Sequence, residues 1–366
     1  MRDRRILEVH PTVWAMVTKE FRQLRRDRRT LAMMIVLPVL LLVVFGYAAS
    51  FNVHDIPTAV VGPGASRAAA SLHSPFEVTR VDPGGDEAAA RSDIAHGRAV
   101  VALVARPDGL SVLMDGTQLF SAQAAQTALA RTGRLGGSAH VTVLYNPRLK
   151  TSWIMVPGLA GLILAFVGTV ITSLGVVRER QAGTLEQLAV MPLRPWDVIG
   201  GKIVPYFLVA AVDLTAIVVI GRLLFGVPFA GNVAIFALGA VLFLLVTLGM
   251  GVLISTVSQN QGQAIQLALM TLLPQILLSG LIFPLSSMAA GVRWISYVLP
   301  LTYFVRLSRA VMLKGTPITG LWQPLVLLAL LGVAVLGLAV LRFRRDLAPG
   351  GGESDDDPAV RESVTA

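Results

Sequence analysis

At 366 residues, 54% of them hydrophobic and 14% charged, with a mean hydropathy of +0.68, the chain is too apolar for a water-soluble globule and reads as a membrane protein. Cysteine is absent, which excludes thiol chemistry and leaves any exported part to fold without disulfides. The net charge of +9 sits beside apolar segments, where anionic headgroups attract it, so a lipid bilayer and no nucleic acid is the expected partner.

In chain order, residues 1–30 form a basic cytoplasmic segment. Trp14, Val17, Phe21 and Leu24 recur at helical spacing, with Lys19, Arg22, Arg25, Arg26 and Arg29 on the other side. Such a helix lies along the membrane surface, apolar stripe inward. Residues 31–49 are the first apolar segment. A cleaved signal peptide is disfavoured, because a charged leader of this length is too long to precede its core.

Residues 50–152 have ordinary soluble composition and are expected to form a small extracytoplasmic α/β domain. Strand-like runs fall at Ile56 to Val61, Phe76 to Val81, Ala99 to Ala105, Leu110 to Met114 and His140 to Tyr145. Helical runs fall at Ala65 to Ser71, Asp86 to His96 and Gln118 to Arg134, giving the order β-α-β-α-β-β-α-β. Arg106-Pro-Asp-Gly109 supplies a hairpin turn. His54, His73, His96 and His140 match no metal-ligand spacing and are expected as surface or capping residues.

Five further apolar segments follow, at 153–177, 203–224, 233–257, 264–285 and 322–341. With 31–49 they make six candidate spans in an α-helical polytopic protein, each reaching roughly 28–38 Å against a hydrocarbon core of about 30 Å. Within 153–177, Gly161, Ala165, Thr169 and Ser173 place small residues at steps of four. Lipid gives helices no hydrophobic reason to associate, so this stripe is expected to touch another helix, within one copy or between copies. Asp213 is the one carboxylate deep in a span, with Arg222 nine positions later. It reads as a packing group inside the bundle, or alternatively as a cation or proton site. Gln275 is a second intramembrane polar residue. The tail, 342–366, carries Gly350-Gly-Gly352 and Asp355-Asp-Asp357 and is expected to be disordered.

Basic residues orient the chain. The first 30 residues hold nine, from Arg2 to Arg29. The 178–202 connector holds Arg178, Arg180, Arg194 and Lys202, and Arg342, Arg344 and Arg345 follow the last span. Both termini are therefore expected in the cytoplasm and 50–152 outside. Against this, the stretch after Leu285, assigned outside, carries Arg293, Arg306, Arg309 and Lys314.

Catalytic patterns are missing. The spans hold no His or paired carboxylates, no H-E-x-x-H occurs, and Gly201-Lys202 is followed by Ile203 rather than Ser or Thr. The chain is not read as an enzyme. In the connector, Ala182, Leu185, Leu188 and Ala189 share one helical face, while Pro192 and Pro195 stop the pattern. A short amphipathic helix along the membrane is expected there.

The connector sequence RERQAGTLEQLAVMPLRPWD resembles that of type-2 ATP-binding-cassette exporter permeases. Leu278 to Gly315, containing LPLTY, looks like the fifth span and outer re-entrant hairpin of the same family, and VLMDGTQLFSAQAAQ resembles the D-G-T segment of members with a large outer domain after the first span. The resemblance implies a permease subunit in the plasma (inner) membrane, as a homodimer or paired with a second permease. A separate ATPase subunit would hold ATP and Mg, with no cofactor in this chain. It further implies that Arg178, Glu179, Arg180, Gly183, Thr184, Glu186 and Leu188 couple to that ATPase, and that the Pro284 to Leu301 hairpin, with Pro284, Arg293 and Pro300 and within an outer hairpin-and-loop stretch over 286–320, helps close the outer exit. The implied cargo is lipophilic or amphiphilic, of drug or lipid type, moved outward. Two alternatives stay open: an ion-coupled secondary transporter centred on Asp213, and a membrane anchor that displays 50–152.

Overall fold

The computed structural model describes residues 55–107, 109–132, 140–182 and 195–346. The basic segment 1–30, the first candidate span, His54, the connector between Ala182 and Pro195 and the tail beyond Asp346 lie outside the described residues.

The strands alternate between apolar residues on two faces, and both faces are covered. In chain order the elements are β1 (Ile56–Val61), α1 (Ala65–Ser71), β2 (Phe76–Asp82), α2 (Glu87–Ala95), β3 (Val101–Arg106), β4 (Gly109–Asp115), α3 (Leu119–Thr132) and β5 (His140–Leu144). They follow the order and nearly the bounds expected from periodicity. The sheet runs β2-β1-β3-β4-β5, with β3 and β4 antiparallel and the other neighbours parallel. Ile56, Val60, Val101, Leu103, Val112 and Met114 pack on one side with Ala65 and Ala125 of α1 and α3. Ala59, Val61, Ala102, Val104 and Leu113 pack on the other with Ala90 and Ile94 of α2. This is the period-2 split of a sheet buried on both faces. Gly62, which ends β1, has φ +103 and passes so close to β3 that a Cβ would lie 2.5 Å from the Ala105 carbonyl oxygen; only glycine fits.

The remaining helices form a bundle. They are α4 (Thr151–Gln181), α5 (Pro195–Phe225), α6 (Val233–Val257), α7 (Gln261–Leu278), α8 (Ala290–Ser296), α9 (Pro300–Arg309, continuing through a π turn at Ala310–Lys314) and α10 (Trp322–Asp346). Among the described residues four helices are long and apolar enough to cross a membrane: Thr151–Gln181, Val204–Phe225, Val233–Val257 and Trp322–Arg342. The fifth expected span, 264–285, differs. Its helix stops at Leu278, seven positions early, because Gly280 takes φ +81 and the chain turns. At the other end Pro195 opens α5, where its fixed φ and missing N–H suit a first turn.

Small residues set the helix contacts. A Cβ at Gly161 would lie 2.6 Å from Phe304 and 2.8 Å from Leu301 of α9, and one at Gly168 would lie 2.2 Å from the Thr247 hydroxyl of α6. Phe304 in turn stacks on Phe243 of α6, ring centroids 4.7 Å apart. Ala165, Thr169 and Ser173 are fully buried, so the whole stripe faces helices of the same chain. A step of four overshoots an α-helical turn by about 40°, so three steps would drift by roughly 120°. The π turn at Val167–Ile171 is wider and takes up part of that drift, which keeps the stripe in line.

One substitution tests this packing. A Cβ at Gly251 would lie 2.5 Å from the Gly168 carbonyl oxygen, a backbone atom that cannot swing aside. Gly251→Ala is expected to lower stability by about 1–3 kcal/mol, read as a drop in thermal unfolding temperature of the detergent-purified protein.

Candidate functional site

Two regions gather polar side chains that an apolar bundle would otherwise leave out. The first joins the sheet to the helices. Asp115 ends β4, and its Oδ1 accepts from the Thr117 amide at 2.9 Å and the Thr117 hydroxyl at 2.6 Å, a local turn typical of Asp. Its Oδ2 accepts from Lys314 Nζ at 2.5 Å, and Lys314 also donates to the Ile94 carbonyl at 3.1 Å. The two side chains are 9% and 2% exposed. Tyr145 lies with its ring 5.6 Å from the ammonium. Burial, then the Asp115 charge, pushes the Tyr145 phenol above its usual range. Gly116 admits this geometry because a Cβ there would meet the Leu144 and Asn146 carbonyls at 2.8 Å. Asn146 then ties the turn to the start of α4, donating to the Gly116 and Lys150 carbonyls and accepting from the Lys150 amide.

Arg309 extends the junction inward. Its guanidinium donates to the Ile154 carbonyl at 3.3 Å, to Gly280 at 3.0 Å and to Leu281 at 3.1 Å. It thus satisfies carbonyls at the end of α7, where the helix dipole favours a cation, while holding α4 beside them. Of the residues expected at the outer exit, Pro284 lines a small cavity together with Arg309. Pro284 accepts the Ser287 amide and hydroxyl, Arg293 donates to the Met288 carbonyl at 3.2 Å, and Pro300 is buried at the first turn of α9.

The second region is the far end of α4. Arg178, Glu179 and Arg180 are the last turn of α4 itself; no helix breaker separates them from Val177. Arg178 is exposed and Glu179 half-buried. Arg180 donates to the Ser258 carbonyl at 3.2 Å, just past α6, and Gln181 accepts from the Gln261 side-chain amide at 3.0 Å. Asn260 caps α7 through the Gln263 amide. The end of α4 is therefore fastened to the α6–α7 turn. Gly183, Thr184, Glu186 and Leu188 lie outside the described residues.

Asp213 and Gln275 stay apart. Asp213 is half-buried on α5, beside Val212 at 68% exposure, and among the described residues it has no hydrogen-bond or ionic partner. Gln275 is fully buried; its Nε2 donates to the Thr271 carbonyl, and its Oε1 has no partner. Of the described histidines, His96 caps α2 through the Ser92 carbonyl and His73 bonds Ser71. Among the described residues no three potential metal ligands gather.

The ion pair of Lys314 with Asp115 and the carbonyl contacts of Arg309 and Arg180 do not follow from sequence spacing, since their partners lie 28 to 199 positions away. One signal was present: Arg309 and Lys314 fall in a stretch expected outside, where basic residues are disfavoured.

The model of a family described as ABC-2 family transporter protein matches residues 28–341, most of the chain. The chain belongs to the ABC-2 transporter family. Among curated relatives of this ABC-2 permease, the probable multidrug ABC transporter permease YbhR of Escherichia coli (strain K12) is 30% identical over 91% of this chain and 98% of its own length. YbhS of the same organism, with the same description, is 28% identical over 92% and 97%. ABC transporter G family member 20 of Dictyostelium discoideum is 32% identical, over 48% of this chain and 24% of its own. The permease is thus a multi-pass membrane subunit of an ABC system.

Within it, Lys314→Met strands the Asp115 carboxylate in a buried place, and losing one member of such a pair costs about 3–5 kcal/mol. Faster amide exchange in β4 and β5 is the expected readout. Adding Asp115→Asn is expected to cost less than the sum of the single changes, because no charge is then left unpaired.

Proposed function

We propose that this ABC-2 permease is the membrane half of an ATP-driven exporter in the plasma (inner) membrane, crossing it six times with both termini cytoplasmic and 50–152 outside. A separate ATPase subunit, carrying ATP and Mg, docks on the 178–202 connector. Two permeases, identical or paired, form the pathway, and the cargo is lipophilic or amphiphilic and moves outward. The single observation that carries this is α4. One helix of 31 residues, about 46 Å long at 1.5 Å per residue, runs from Thr151 beside the sheet to Gln181 at the connector. A push received at Arg178, Glu179 and Arg180 is transmitted along it to Ile154, Arg309 and the outer hairpin, a rigid-element route between two states.

The cargo class draws on two supports. Related permeases are named as multidrug transporters. Apolar side chains also stand exposed along α5 and α10, among them Leu208, Leu223, Val333 and Leu338 at 57–75% exposure, a surface for lipid, a second permease or an apolar passenger. Pro284, Arg293 and Pro300 belong to the outer closure in this scheme, and Gly161 with its small neighbours to the lever's bearing surface.

Co-purification with the ATPase subunit tests the docking. Glu186→Ala together with Arg178→Ala is expected to abolish the complex while leaving the amount of folded permease unchanged; an intact complex would falsify the coupling role.

A second function is favoured by one observation, the partnerless Asp213: ion-coupled transport without an ATPase. Efflux in reconstituted vesicles separates the two. Asp213→Asn is expected to keep ATP-driven efflux within about twofold, and loss of efflux driven by an ion gradient alone would support the second function instead.

A further inference from the structure

A cavity of about 270 Å³ opens between the end of α2, the π turn of α9 and the start of α10. Roughly 10–15 Å³ of such space suffices for one water, so this one admits a polyatomic group. Its wall brings together Arg306, Arg309, Lys314, Thr316 and Gln323 with His96, and none of its lining residues is an Asp or Glu.

The charges in the wall decide what it prefers. Lys314 is already neutralised by Asp115. Arg309 spends three N–H groups on backbone carbonyls, which are dipoles rather than counter-charges, and about two of a guanidinium's five donors remain. Arg306 is exposed and has no hydrogen-bond or ionic partner among the described residues. The single Asp115 carboxylate, which also acts on Arg309 across space, faces three cations, Lys314, Arg309 and Arg306, so positive charge is in excess in this space. Independently, Thr316 is 5% exposed and its Oγ1 makes no hydrogen bond; buried hydroxyls in folded proteins are normally satisfied.

Depth supplies the last clue. Trp322, 63% exposed, opens a candidate span, and tryptophan at a span end sits at the level of lipid headgroups. Gln323 and Pro324, next in the chain, line the cavity. Arginine forks suit phosphate oxygens, and hydroxyl and guanidinium donors from separate elements suit a tetrahedral oxyanion.

We propose that this cavity binds a phosphate-type oxyanion, carried by a lipid headgroup or free in solution, on Arg306 and Arg309 with the Thr316 hydroxyl completing the donors. The site stands whether or not the permease exports anything, since it rests on the cavity alone.

Calorimetric titration of the full-length protein in phosphatidylcholine nanodiscs tests it, with dihexanoyl phosphatidylglycerol, dihexanoyl phosphatidylcholine and inorganic phosphate as probes. Wild type is expected to prefer phosphatidylglycerol over phosphatidylcholine, and more weakly at high salt. Arg306→Gln, a change at an exposed side chain, is expected to weaken binding about tenfold, the equivalent of one lost charge-assisted hydrogen bond. Thr316→Val is expected to weaken it severalfold, and Arg306→Lys, which keeps the charge but loses the fork, to weaken it less than Arg306→Gln. Competition by inorganic phosphate assigns the site to the free oxyanion as well; its failure assigns the site to the lipid headgroup. Equal affinity of wild type, Arg306→Gln and Thr316→Val for every probe overturns the proposal.

Discussion

An ammonium and a carboxylate removed from water stay paired only when neighbouring groups hold them in register, because desolvation otherwise outweighs their attraction. Lys314 and Asp115 meet that condition from both sides. The Asp115 carboxylate is pinned by the Thr117 amide and hydroxyl, and the Lys314 ammonium by the Ile94 carbonyl and the Tyr145 ring. Because Lys314 ends the π turn that continues α9 and Asp115 ends β4, this one pair sets how the sheet sits on the bundle. Asn146 repeats the restraint a few residues away, at the start of α4.

Inside the bundle the constraint changes character. Lipid does not drive helices together, so contact must come from close approach and satisfied polar groups. Glycines at 158, 161 and 168 let α4 reach Leu281, Phe304 and Thr247. Arg309 then donates to carbonyls that the turn after α7 leaves without helical partners. A broad apolar contact and a few directional bonds thus converge on α9, which is buried along nearly its whole length although it is too short to cross a bilayer.

Much of the architecture was legible from pattern. Alternation located the five strands, and long uncharged runs located Val233–Val257 to the residue, because both signals are local. What escaped was non-local or conformational. The early stop of α7 depends on a left-handed Gly280 that hydropathy cannot register. Arg178, Glu179 and Arg180 looked like connector because they are charged, yet arginine and glutamate are good helix formers and prolong α4. The candidate site was legible only by half. Resemblance to a known family marked the Arg178 segment and the D-G-T segment, but nothing in the order of residues joins Asp115 to a lysine 199 positions on. Arg306, Arg309 and Lys314 stood out as exceptions to the charge rule in a stretch expected outside, and that stretch is where the junction lies.

The π turn in α4 has a mechanical consequence. The helix is clamped at one end by Trp153 on the Phe225 carbonyl and at the other by Arg180 on the Ser258 carbonyl, so it cannot swivel freely as a whole. Torsion applied to it collects where the hydrogen-bond ladder is widest, at Val167–Ile171. That stretch is also where the glycine contact with α6 is tightest, so the shaft's most compliant point is the one seated in its bearing.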